Sequence, residues 1–91
     1  MADIKAIGVL ETRGFVPLIE GADAAVKAAA VDIVEWRQVG SGYVSFTLEG
    51  EVAAVRSAME AAASSAKKVG EVISELIVPR PVPELKTTYK K

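Results

Sequence analysis

Val39-Gly40-Ser41-Gly42-Tyr43-Val44-Ser45-Phe46-Thr47-Leu48-Glu49-Gly50 is the stretch whose pattern decides the fold. Val44, Phe46 and Leu48 alternate with Tyr43, Ser45, Thr47 and Glu49, the period of two that marks a strand with one dry face. The residues just before the glycines, Val31 to Val39, are rich in β-branched side chains and hold the single tryptophan, Trp36. They read as a second strand. Two strands around a Gly-Ser pair make a tight hairpin.

Working outward, Glu49-Gly50-Glu51 opens a helix whose apolar stripe is Val52, Val55, Met59, Ala62, Ala63 and Ala66, with Arg56, Glu60, Ser64, Lys67 and Lys68 on its wetter side. Gly70 is placed to end that helix as a left-handed residue, and Val72 to Val78 reads as a further strand. Upstream of the hairpin, Phe15, Ile19, Ala22, Val26 and Ala29 recur every three or four residues and predict a helix with that face inward. Pro17 falls in its first turn, where the missing N–H costs little. Asp23 stands four residues before Lys27, the favourable order for a helix ion pair. Ile4 to Leu10 predicts a buried first strand, followed by a loop at Glu11-Thr12-Arg13-Gly14 with Thr12 as a candidate cap. The resulting order, β-α-β-β-α-β, predicts an α+β domain of the ferredoxin-like, split βαβ kind. It implies a four-stranded antiparallel sheet with both helices on one face. A single domain over residues 1–83 is expected, followed by Pro79-Arg80-Pro81-Val82-Pro83, an extended exit, and a polar C-terminal tail over residues 84–91.

Ninety-one residues allow one core only. Of these residues 51% are hydrophobic and 25% charged, which excludes a disordered chain. Fifteen alanines make up much of the apolar share. Each buries about one methyl's worth of surface, so a chain this small has reason to seek stability in neighbours. The sequence contains no cysteine, histidine or asparagine. That removes thiolate chemistry, the usual neutral-pH base and the commonest metal ligand, and it argues against an enzyme or a metal site. A phosphatase of the acylphosphatase type is also disfavoured, since it needs an asparagine beside its arginine. With 11 basic and 12 acidic residues the net charge is −1, and no long basic run suggests nucleic acid. Tyr43 alone is placed to stack on a base. No stretch approaches the roughly 20 apolar residues of a membrane span. Met1-Ala2-Asp3-Ile4-Lys5 has no signal-peptide core, so a cytoplasmic location is expected.

Four features carry both a bland and a functional reading. Gly40-Ser41-Gly42 is either a hairpin turn alone or a loop whose N–H groups and hydroxyl face an opening or a ligand. It lacks the lysine of a P-loop and joins two strands, unlike a dinucleotide fingerprint. Glu11-Thr12-Arg13-Gly14 either caps a helix or offers Arg13 and free N–H groups to a phosphate. Arg80, held between prolines, is either solvated or pre-ordered for docking. Lys27 has the Asp23 pair and a helix C-terminus to explain it.

The chain resembles the single-domain, hexamer-forming shell proteins of bacterial microcompartments, the BMC domain proteins. The stretches that carry the resemblance are Ile7-Gly8-Val9-Leu10-Glu11-Thr12-Arg13-Gly14, Ala22-Asp23-Ala24-Ala25-Val26-Lys27-Ala28-Ala29, Val39-Gly40-Ser41-Gly42-Tyr43-Val44, Gly50-Glu51-Val52-Ala53-Ala54-Val55, Lys68-Val69-Gly70-Glu71 and Val78-Pro79-Arg80-Pro81. Each motif is weak alone; together, in this order from about Ile4 to Pro83, they are specific. The resemblance implies a flat homohexamer that tiles with neighbouring hexamers and other shell proteins into a shell around metabolic enzymes. It implies no cofactor and no catalytic residue. Gly40, Ser41 and Gly42 would ring a central pore for small polar metabolites, with Gln38 at its mouth. Lys27, with Asp23 and Ala30 nearby, would lie at the hexamer edge, and Arg80 would reach across it.

This chain departs from the family pattern in three respects, at four positions. Ala30 stands where an asparagine is common, so one edge hydrogen bond is expected to be missing. Leu76 and Val82 stand where many members have histidine. Gln38 replaces a lysine common before the pore glycines, which makes the mouth less positive. The competing reading is a ferredoxin-like oligomeric module that binds a metabolite at a subunit cleft for regulation, and oligomer size separates the two.

Overall fold

The computed structural model describes residues 5–79. The elements run β1 (Ala6–Arg13), α1 (Phe15–Ala28), β2 (Asp32–Gly40), β3 (Tyr43–Gly50), α2 (Val52–Val69) and β4 (Val72–Val78). The strands form one sheet in the order β2-β3-β1-β4, with every neighbouring pair antiparallel. This is the split βαβ arrangement expected from the sequence.

Alternation in β1 and β3 sets the layers. Ala6, Leu10 and Thr12 of β1, with Val44, Phe46 and Leu48 of β3, are buried on the face that meets the helices. Gly8 belongs to the same face because an added Cβ there would lie 2.6 Å from the Met59 side chain. The missing side chain lets α2 settle directly on the sheet. The helices meet each other along small residues. Gly21 faces the Ala62 carbonyl, which an added Cβ would approach to 3.1 Å. Ala22 and Ala25 of α1, and Ala58, Ala62 and Ala66 of α2, are buried in the core with Leu18 and Val55.

The closeness of that seam corrects the expected inner face of α1. Its buried residues are Pro17, Leu18, Gly21, Ala22 and Ala25. Of the predicted stripe only Ala22 is fully buried. Phe15, Ile19 and Val26 are 49%, 54% and 47% exposed. Two apolar stripes overlap on this helix. The seam accepts the smaller one, because large side chains would hold the helices apart. In α2, Val55, Met59, Ala62, Ala63 and Ala66 are buried as expected, Ala58 joins them, and Val52 at the helix start is exposed.

Three local expectations are also corrected. Strand β1 runs through Glu11, Thr12 and Arg13, because all three pair with β3. Thr12 does not cap α1: Gly14 occupies the N-cap position with no side-chain cap bond. The buried Thr12 hydroxyl instead donates to the Gly14 carbonyl at 2.9 Å. Gly70 has φ −177°, an extended rather than left-handed conformation. Its glycine answers a steric demand, since an added Cβ would lie 2.6 Å from Cγ of Pro17. Arg80, Val82 and the tail over residues 84–91 lie outside the described residues.

Candidate functional site

The hairpin between β2 and β3 has a two-residue turn, Ser41-Gly42, closed by the Gly40–Tyr43 pair. Both turn residues have positive φ, 57° for Ser41 and 82° for Gly42, as a type I′ turn requires. Gly40 adds a third at 97°. No neighbouring atom would meet a Cβ at Gly40 or Gly42, so backbone conformation and not space demands glycine there. Ser41 is the only non-glycine residue with positive φ among those described. It carries its hydroxyl at the exposed tip of the turn, at a conformational cost of about 1–2 kcal/mol. A register shift between Gln38 and Gly40 marks Val39 as the extra residue. Gln38, Val39, Gly40, Ser41 and Gly42 are all exposed.

The turn is tied back to the body of the protein. The Gly14 N–H donates to the Gly42 carbonyl at 2.7 Å. One residue earlier, Arg13 pairs with Tyr43 across the sheet. Its guanidinium Nη2 donates to the Tyr43 hydroxyl at 3.2 Å, its Cζ lies 5.2 Å from the ring centroid, and its Nε is 3.3 Å from Glu71 Oε1. Its backbone N–H donates to the Glu71 carbonyl at 3.1 Å. Sequence reasoning noticed Arg13 as a possible anion ligand and Tyr43 as a possible stacker. It missed that they serve each other. The only signal is topological: the order β2-β3-β1-β4 places the end of β1 beside the start of β3.

The second candidate set lies at the other end of α1, roughly 18–21 Å away at 1.5 Å per residue. Lys27 Nζ sits 2.9 Å from Asp23 Oδ2, and both side chains are largely exposed. The hydrogen bond to Asp23 and that carboxylate's charge raise the lysine pKa above its ordinary 10.5, with Glu20 adding a smaller effect in the same direction. Ala30 lies exposed in the connection to β2, where the Val31 N–H donates to the Ala29 carbonyl at 3.0 Å. Leu76 is exposed on β4, opposite Val9. Among the described residues, no group of three or more histidine, cysteine, aspartate or glutamate residues is arranged to hold a metal ion. No described helix is long and apolar enough to cross a membrane.

The glycine hairpin lies at one end of the split βαβ sheet, and the exposed lysine lies at the far end of α1. Residues 6–81 match the BMC domain model, and the chain belongs to that family. It is 42% identical over 86 residues to the bacterial microcompartment shell protein EutM of Salmonella typhimurium, covering 94% of this chain and 90% of the relative. It is 44% identical over 77 residues to the bacterial microcompartment shell protein PduA of Citrobacter freundii, covering 85% of this chain and 83% of that one. A solved structure of a microcompartment protein from Desulfitobacterium hafniense superposes with a TM-score of 0.86 at 36% identity. The match covers 96% of this chain and 49% of that one, so this chain spans about half of the solved protein's length.

Proposed function

We propose that this chain is a structural shell protein of a bacterial microcompartment, forming homohexamers that tile edge to edge in the cytoplasm. The match of residues 6–81 to the BMC domain carries the reading, and it is supported by relatives that are named shell proteins. The protomer's own surface agrees with association. Phe15, Ile19 and Val26 form an exposed apolar strip along the flank of α1, and Trp36 and Val39 are exposed on the edge strand β2. Apolar surface of this kind is stabilising only once a neighbour covers it.

In this reading Gly40, Ser41 and Gly42 from six subunits ring the pore. A loop repeated around a sixfold axis turns one hydroxyl and its backbone N–H groups into a donor-rich constriction. Such a constriction favours small polar or anionic solutes and resists apolar ones. Gln38 at the mouth adds no charge. Lys27, Asp23, Ala30 and Arg80 form the edge, where many weak contacts gain strength by repetition. Other shell proteins and the enclosed enzymes are the further partners, and the chain itself performs no catalysis.

Electron microscopy of the purified chain tests the edge. The native protein is expected to form extended sheets, whereas Lys27→Ala and Arg80→Ala are expected to leave hexamers that do not tile. Variants that tile as well as the native protein would overturn the edge assignment.

A further inference from the structure

We propose that Arg13 is a positioning residue for the Gly40-Ser41-Gly42 loop, locking it in one shape through Tyr43 and Glu71; as a statement about passage, this rests on the pore reading above. Three observations converge. The loop holds three successive residues at positive φ, a conformation the local chain does not favour where the residue is serine. A Cβ added at Gly40 or Gly42 would meet no neighbouring atom, so those two positions are not fixed by close packing on that side. What the described residues do supply lies at the foot of the turn. Besides the Gly40–Tyr43 pair that closes the turn, it includes the Gly14 N–H to Gly42 carbonyl bond and the adjacent Arg13–Tyr43 pair.

Arg13 suits this task because its guanidinium meets three different demands at once. Its cation lies near the Tyr43 ring, one N–H reaches the Tyr43 hydroxyl, and another side faces the Glu71 carboxylate. Tyr43 is the residue that leaves the turn, and Glu71 lies in the short connection between α2 and β4. That connection is itself fixed, because Gly70 abuts the rigid Pro17 ring in the first turn of α1. The side chain therefore braces an exposed turn against two helix ends. It also keeps its charge satisfied, so Arg13 does not stand as a bare cation beside the loop.

The test is amide hydrogen exchange on the assembled protein, read at Gly14, whose N–H reports the bond to Gly42. Glu71→Gln and Tyr43→Leu leave the residues adjacent to Gly14 unchanged. Arg13→Gln is corrected for the intrinsic rate beside the new residue. Each is expected to speed Gly14 exchange about fivefold, with amides in the middle of α2 unaltered. Arg13→Lys, which keeps the charge without the forked donor, is expected to recover part of the protection. Unchanged Gly14 exchange in all three variants would overturn the proposal. So would equal acceleration throughout α2, which would make the cluster a general stabiliser. Passage of a small anion through assembled shells separates the two levels. A changed rate in the loosened variants supports the pore reading as well. Faster Gly14 exchange with unchanged passage supports the brace and contradicts the pore reading.

Discussion

The two ends of α1 are built on different principles. At its start, the local structure rests on backbone: Gly40, Ser41 and Gly42 hold positive φ, Gly14 donates to Gly42 at 2.7 Å, and Gly70 fits against Pro17. At its end, the feature that stands out is made by side chains. Lys27 and Asp23 form an exposed pair, and neither belongs to the buried core. Changes at the first end should therefore register in the isolated protomer's stability, and changes at the second only in how protomers associate.

The largest effect is expected at Gly70. Gly70→Val drives side-chain atoms into the Pro17 ring, already within 2.6–3.0 Å of a bare Cβ. Overpacking of this kind costs about 1–3 kcal/mol, readable in denaturant unfolding. Gly42→Val comes next. Space is free there, but φ of 82° places a β-branched residue in the left-handed region, at a cost of about 1–2 kcal/mol. Equal tolerance of valine at Gly42 and at an exposed strand position would break the claim that backbone conformation governs this end. Ser41→Gln should change stability by less than about 1 kcal/mol, since an unbranched side chain already occupies that conformation. It is expected to slow solute passage through assembled shells without unfolding the protein, and unchanged flux would count against the pore role.

At the other end, Lys27→Ala is expected to leave the unfolding midpoint within error while abolishing sheets. The pH dependence sharpens the contrast. The folded-state pKa of Lys27 is raised above 10.5 by Asp23. What the pair contributes is therefore fully present below the unfolded value and is lost only as pH rises through the raised folded value. Between about pH 6 and 9 the native protein and Lys27→Ala should show parallel stability profiles, and a divergence confined to that window would contradict the assignment.

Much of this molecule was legible in the sequence because its signals are local. The alternation of Val44, Phe46 and Leu48 placed β3, and the apolar run Val72 to Val78 coincides with β4. The glycines at 40 and 42 announced the turn, and both adopt the positive φ that explains them. What escaped depends on distant residues. Phe15, Ile19 and Val26 look like a core stripe until the Gly21–Ala62 seam shows that only small residues fit between the helices. Gly70 suggested a left-handed helix end, and only the approach of Pro17, far earlier in the chain, explains it. Arg13, Tyr43 and Glu71 show no shared spacing, because strand pairing and the α2–β4 connection bring them together.

The measurement that bears most directly on this account is the solution mass by light scattering at low protein concentration and moderate salt. The account predicts a mass of six protomers, or larger sheet-like material built from that unit. A monomer or dimer would leave the split βαβ fold standing and contradict the shell function, returning attention to a metabolite-binding role.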